Sequence, residues 1–568
     1  MPRKTRNKED LRIRLAEIRG WQTAKRDDGA VAQQLYTTHA MDQLYELNEA
    51  AFFDEFFEYL KEIEVYPFLE ELDPQNRIGS MYPFMQFVLV TIMRCVGGVE
   101  SMLATQEVLL TDPALMAVLG FNAAQVQQGS CDRGLSRRIE PVEIRGAFSY
   151  ETISDNIVAI GPKKLEKMFN GAIHCLAKQG FFAKELNASL DTTDDEATST
   201  YKTDDGGEVP HVTREKRPDV RANKHARKIK VTVFGWKIWL VFDPVSGIPL
   251  AMKIDGINVA DNTHAFEVLQ QACKNLEGHA RIRSVSLDRG FLDGKLLWKI
   301  DNELGVIVYI PAKSNMDITT EARGMAKRAA EAIEKGEKLP DGVIYKERIE
   351  KVKHGSGKSA WVEERKTTVV RIRNLQCDWW APDGASSAAN SKKFQPKEIN
   401  ATVVLRWDGS SPDEEKEVVI LDIDPSNHSF VGLDRYSDRS KIENTLNREA
   451  KESWFLEHHP KRSESGVRIQ AYFVFMCMAL VAAFRKYLQA ADEAEARDEE
   501  IGITRYRRRL RAANYGKVVV FCGDHFGIFK NTDVFLLIGG NILEKKIIGI
   551  TAEKILARYA PPEQRDTS

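Results

Sequence analysis

The sequence predicts an α/β fold: a mixed sheet with flanking helices, interrupted by a β-rich insertion and preceded by a helical N-terminal domain. Three observations lead there. From about residue 185 apolar residues alternate with period two, and the segments read in the order β-β-β-α-β-α-β. Residues 343 to 425 turn strand-rich a second time, whereas the first 150 residues space their apolar side chains by three and four.

Taken in order, residues 1–150 form the helical unit, with "AFFDEFFEYLKEIEV" and "SMYPFMQFVLVTIMRCV" as its clearest helices. Within it "SMLATQEVLLTDPALMAVLGF" reads either as a DNA-reading helix-turn-helix or as a packing pair broken by Pro113. Residues 151–315 hold the first part of the sheet: "LNASLD", then "IKVTVFGWKIWLVFDPVSGIPLAMKI" with Asp-Pro and Ser-Gly turn signals, a helix at "DNTHAFEVLQQACKNL", the strand "RIRSVSLD", the helix "DGKLLWKIDNEL" and the strand "GVIVYIPAK". The insertion spans 316–430. Residues 431–490 return a helix, "DRSKIENTLNREAKESWFL", followed by an apolar helix around "YFVFMCMALVAAF" whose apolar run is too short for a bilayer and reads as core. The extension 491–568 begins with an acidic linker and continues as two strands and a helix.

At 568 residues the chain is too long for one compact domain, and 43% hydrophobic with 29% charged residues is ordinary for a globular protein. Lys+Arg at 81 nearly balance Asp+Glu at 83, yet the cations cluster. "TREKRPDVRANKHARKIK" and "RYRRRLR" are strongly basic and suited to phosphate, or simply to solvent. Seven scattered cysteines without a C-x-x-C pair argue against a disulfide framework and a zinc cluster, and point to a reducing cytoplasm. The charged N-terminus is no secretory signal.

The chemistry lies in an echo. "NASLD" ends on Asp191 and "RSVSLD" on Asp288, so two similar strands each deliver an aspartate at the C-terminal edge of one sheet. Neighbouring carboxylates repel unless a cation screens them, and Mg²⁺ takes oxygen ligands while keeping room for substrate. A third acid is expected from a packed helix. "YSDRSKIEN" places Tyr436, Arg439 and Glu443 at spacings of three and four, on one helical face, offering a phenol, a guanidinium for phosphate and a carboxylate for metal.

These residues carry a resemblance. "LDTTD", "DRGF" at 288–291 and "YSDRSKIENTLNREAK" together resemble the DDE transposases of the bacterial insertion-sequence family four type, over about residues 185–485. That resemblance implies a ribonuclease-H-like catalytic fold, Asp191, Asp288 and Glu443 as catalytic residues and metal ligands, two Mg²⁺ ions with Mn²⁺ able to substitute, and Tyr436, Arg439 and Lys451 on DNA phosphate. It implies cleavage at the terminal inverted repeats and strand transfer into target DNA, by a homodimer in a synaptic complex, in the bacterial cytoplasm at the nucleoid. One departure stands out: the family lysine falls seven residues after the glutamate, where this chain has Ala450, and Lys451 comes one later. Lys441 and Arg448 are the other cations that suit that role.

Other readings stand beside these. Asp194 or Asp195 competes with Asp191 as ligand; Asp288 precedes a turn, and Glu443 suits a plain ion pair with Arg439. Asp243, Asp422 and Asp424 also end strands and read as turn residues. His458 and His459 lack a matched partner for metal, and Trp361, Trp379, Trp380 and Trp407 serve either as core or as stacking platforms. Two other functions compete with transposition: a transposase-derived DNA-binding protein without catalysis, and a metal-dependent nuclease that cuts without joining.

Overall fold

The computed structural model describes residues 24–74, 82–128, 149–216, 229–354, 361–382, 397–407, 418–426, 428–441, 446–491, 503–539 and 550–561. Contacts divide the chain into two compact units, one of residues 1–175, 202–206 and 453–568, the other of 176–201 and 207–452.

The second unit is built on one ten-stranded sheet. Its strands are β1 (Glu185–Ala197), β2 (His211–Lys216), β3 (Ile229–Asp243), β4 (Ile248–Gly256), β5 (Arg281–Leu287), β6 (Ile307–Pro311), β7 (Val343–His354), β8 (Trp361–Cys377), β9 (Lys397–Trp407) and β10 (Val418–Asp422). Their spatial order is β2-β3-β1-β5-β6-β10-β9-β8-β7, with β4 also paired to β3. Strands β4 and β1 each pair antiparallel with β3, while β5 runs parallel to β1 and β6 parallel to β5. Helices Ala265–Asn275 and Gly294–Leu304 connect β4 to β5 and β5 to β6. Three antiparallel strands followed by two parallel ones with helical crossovers is the ribonuclease-H-like arrangement.

Local chemistry supports each piece. Helix Ala265–Asn275 turns Ala265, Val268, Leu269 and Ala272 inward at helical spacing. Asp293 caps helix Gly294–Leu304 by accepting from the Leu296 amide at 2.8 Å. Asp243 accepts from the amides of Val245 and Ser246, which makes "FDPVSG" the hairpin turn expected. The insertion is less separate than the sequence suggests, because β10 pairs antiparallel with β6 and so joins β7–β9 to the same sheet.

Strand β1 does not stop at Asp191, as the sequence reading expects. Its parallel ladder with β5 ends at Leu190↔Leu287, but its antiparallel ladder with β3 continues to Ala197↔Phe234. The acidic run is therefore strand, tolerated because Asp194 pairs with Arg214 while β3 satisfies the backbone.

In the first unit the N-terminal segment is not helical throughout. Residues 25–26 and 43–46 are strands of a four-stranded sheet completed by 517–522 and 525–530. Val31 and Leu35 from helix Asp28–Thr38 share one core with Val518, Val520, Phe529, Leu537 and Ile555. The helix-turn-helix candidate forms helices Met102–Val108 and Pro113–Val118; Ala114, Leu115, Met116 and Ala117 of the second are buried, which accords with the packing-pair reading. Helix Glu464–Ala491 is long and apolar enough to cross a membrane, but 89% of its apolar window is buried. Its Phe484 meets Phe52 and Phe56 at centroid distances of 5.8 and 5.3 Å.

The shared core predicts that Phe529→Ala loosens the opposite end of the chain. The cavity should cost about 3–5 kcal/mol, and hydrogen exchange should rise at residues 43–46 as well as at 517–530. Unchanged protection at 43–46 would mean that the two segments fold independently.

Candidate active site

The site grows from the last rung of the parallel ladder. Leu190 pairs with Leu287, so Asp191 and Asp288 are the next residues on adjacent parallel strands and stand level with one another. Asp191 is buried at 7% exposure, and its Oδ1 accepts from the Thr192 amide at 2.8 Å. Asp288 leaves the strand in extended backbone, φ −79° and ψ 164°, and its carbonyl accepts from the Phe291 amide at 3.0 Å to start a short 3₁₀ turn. Phe291 is buried and pins that turn to the core.

Gly290 explains the glycine in "DRGF". A Cβ there would lie 2.9 Å from Asp261 Oδ2. Asp261 cannot readily move aside: its Oδ1 accepts from Lys237 Nζ at 2.6 Å, and its carbonyl accepts from Trp239 Nε1 at 2.6 Å. Lys237 is itself buried on β3.

Helix Val431–Lys441 lies across β1, β5, β6, β9 and β10. Ser286 Oγ donates to the Arg435 carbonyl at 2.8 Å, fastening the helix above β5. One helical turn further, Arg439 reaches both aspartates: Nη1 donates to Asp191 Oδ2 at 3.1 Å and Nη2 stands 3.7 Å from Asp288 Oδ1. Its guanidinium is 5.6 Å from the centre of the Tyr436 ring. Asp191, Asp288, Arg439 and Tyr436 are thus brought together. Glu443 lies outside the described residues.

Lys451 meets the strand that carries Asp191, three residues further along it. Leu446 and Asn447 lie in a π-helical turn ahead of helix Arg448–Glu452. Ala450, at the family spacing, is fully buried, whereas Lys451 Nζ donates to the Asp194 carbonyl on β1 at 2.6 Å.

Other candidates fall elsewhere. Asp195 is fully buried within β1, and Asp194 is engaged by Arg214. His458 faces Glu100 at 3.6 Å in the first unit. Trp380 is buried and Trp361 exposed. Asp422 and Asp424 each accept from the amide two residues on, at 3.0 and 2.8 Å, as the turn reading expects, and Asp422 in addition holds a fully buried ion pair with Arg371 at 2.9 Å. The local signal for that pair is absent because its partner lies on another strand.

Two level carboxylates that converge on one cationic group have the donor chemistry for a divalent metal: oxygens only, and negative charge in excess of their immediate screening. Among the described residues no three His, Cys, Asp or Glu side chains form a metal-holding group.

The family described as "Transposase DDE domain" matches residues 189–480. A solved piggyBac transposase synaptic complex with hairpin DNA is similar at 10% identity and TM-score 0.33, over 96% of this chain and 90% of that one. No curated protein matches the chain.

Gly290→Ala should force Asp261 off Lys237 or displace the 288–291 turn. The overpacking cost is about 1–3 kcal/mol, measured as a lowered denaturant midpoint at unchanged slope. A wild-type midpoint would show that the turn yields freely.

Proposed function

The chain belongs to the transposase DDE-domain family, and from that premise we propose that it cuts DNA at the ends of a mobile element and joins the freed 3′ ends to target DNA. The observation that carries this reading is the level pair Asp191 and Asp288 with Arg439 between them. Asp191, Asp288 and Glu443 would hold divalent metal, two Mg²⁺ ions or Mn²⁺ in their place. Bound there, the metal supplies electrostatic stabilisation of the charge that builds on the phosphoryl oxygens.

The protein's own residues do the positioning. The β1–β5 register fixes the spacing of two carboxylates, one on β1 and one on the first residue after β5. Arg439 presents a planar donor fork that suits a phosphate as well as it suits the aspartates. Tyr436, half-buried beside it, offers a phenol to the same backbone. Lys451 is tied by the Asp194 carbonyl to the strand that carries Asp191, which keeps its charge within reach of a strand lying over the site. Both chemical steps are in-line displacements at phosphorus, so one constellation serves cutting and joining.

Two ends must be held at once, so the working form is a homodimer in a synaptic complex on terminal inverted repeats. Six described free cysteines, five of them buried, accord with a reducing bacterial cytoplasm and association with the nucleoid.

The test is Asp288→Asn on the full chain, with DNA bearing the element's ends. Binding should persist while cleavage falls by on the order of 10³-fold or more; wild-type cleavage by the variant would overturn the assignment. Supplying pre-cut 3′-hydroxyl ends with a supercoiled target should yield joined molecules from the wild type. Cleavage without joining would identify a nuclease instead. Chelation with EDTA should abolish both reactions, and Mg²⁺ or Mn²⁺ should restore them.

A further inference from the structure

Resting on that reading, we infer that the buried Arg371–Asp422 pair in the insertion is a positioning device for the reaction, setting the seat of the helix that carries Tyr436 and Arg439. Both residues are fully buried, Arg371 on β8 and Asp422 at the end of β10. They meet as a two-pronged pair: Nη1 to Oδ2 at 3.0 Å and Nη2 to Oδ1 at 2.9 Å. Arg371 Nη2 also donates to the Asp424 carbonyl at 3.0 Å, and Asn400 Nδ2 donates to the same carbonyl at 2.8 Å. The Asp424 amide returns to Asp422 Oδ1 at 3.0 Å, and the Tyr309 hydroxyl of β6 donates to the Asp424 carboxylate. The chain leading into helix Val431–Lys441 is thereby fixed at both of its aspartates.

The helix then rests directly on this network. At Gly432, in its first turn, a Cβ would lie 2.6 Å from Thr402 Oγ1 and 3.7 Å from Asp422 Oδ2. Arg371 Nη1 reaches the same Thr402 hydroxyl at 3.3 Å. Next to this turn Arg348 of β7 packs over the Phe430 ring at 4.3 Å and donates to Asp434 at 2.8 Å. Every strand of the insertion, β7 to β10, thus contributes a polar group at the start of the helix whose far turn bears Arg439.

Stability alone is a poor reason for such a pair. Removing two charges from water costs several kcal/mol per ion, and apolar replacements of like volume commonly match or exceed a buried pair in stability. What apolar packing does not supply is direction. The six hydrogen bonds around Asp422 and Asp424 fix the approach of the helix, and an error of about 1 Å at a reacting group lowers rate by on the order of 10²-fold. Asp422 is also level with Tyr309 on β6, whose other neighbour is β5, the strand that delivers Asp288. The pair therefore holds the helix and the carboxylate strand to one frame, acting through them and touching no DNA.

The experiment compares full-chain Arg371→Met, Asp422→Leu and the double variant with wild type, by thermal unfolding, affinity for end DNA, and kcat and KM for cleavage. Each single variant leaves a buried charge alone and should lose both stability and activity. The double variant should recover the wild-type unfolding midpoint and DNA affinity, yet keep kcat at least about 10-fold low with KM unchanged. Wild-type kcat in a stably folded double variant would overturn the inference. Should the double variant fail to fold, Arg371→Lys keeps the charge but loses the fork; a 10-fold fall in kcat at constant KM supports the inference, and wild-type kcat refutes it. A ¹⁹F resonance from fluorotyrosine at 436 gives a reading independent of catalysis: a shifted or multiple signal in the double variant is expected, and an unmoved single line refutes the inference. If wild-type protein cuts no DNA, the transposase reading fails while the fluorine signal still decides whether the pair orients the helix.

Discussion

Six residue pairs of parallel ladder between β1 and β5 are the constraint on which the rest of the second unit depends. A parallel register fixes which side chains stand level where the ladder ends, and here it brings two carboxylates side by side. That is costly, because neighbouring carboxylates repel one another. Everything built above the ladder answers that cost. Arg439 spans the two acids, Ser286 holds the backbone of its helix, and Phe291 buries the turn that follows Asp288. A site that binds cations follows from the same register, since the repulsion that destabilises the empty pair strengthens its hold on positive charge.

Much of this was legible in the sequence because it is local. The repeated "SLD", the turn after Asp288 and the three-and-four spacing of Tyr436, Arg439 and Glu443 each lie within a few residues, and periodicity located the strands and helices of the ribonuclease-H-like part in order. What stayed hidden depends on partners far along the chain. The continuation of β1 past Asp191 is set by β3, whose antiparallel ladder extends to Phe234, and by the cation of Arg214. Short strands 25–26 and 43–46 have no periodicity to detect; they exist because 517–530 pairs with them. The contact of Lys451 with the Asp194 carbonyl joins residues 257 apart, which spacing in sequence does not encode. Glu443, expected from its spacing and from the resemblance, lies outside the described residues.

The charge balance of the acidic strand also becomes intelligible at this level. Along Asp191 to Asp194 the strand meets three cations from other elements, Arg439 at Asp191, Arg214 at the Asp194 carboxylate and Lys451 at the Asp194 carbonyl, while the Thr192 amide on β1 itself donates to Asp191. One strand level with Asp194, β3 supplies Lys237, which turns instead to Asp261. Near-neutral net charge for the chain therefore conceals a local arrangement in which acids sit on β1 and the cations that meet that strand come from β2 and two helices.

Sheet twist accounts for how an insertion at the far edge can grip a helix centred on the catalytic strands. From β5 to β7 there are five steps, about 24 Å across a flat sheet at about 4.8 Å per strand. The eleven-residue helix is only about 16 Å long. Arg348 on β7 nevertheless reaches Asp434 on that helix at 2.8 Å, and β9 and β10 touch it as well as β1 and β5. A twist of about 20–25° per strand turns β7 by roughly 100–125° relative to β5 and folds the edge back over the helix. The unbroken β6–β10 ladder makes that curl a single rigid feature. Had the insertion been joined by flexible linkers, the buried charges at its base would have had no fixed frame in which to act.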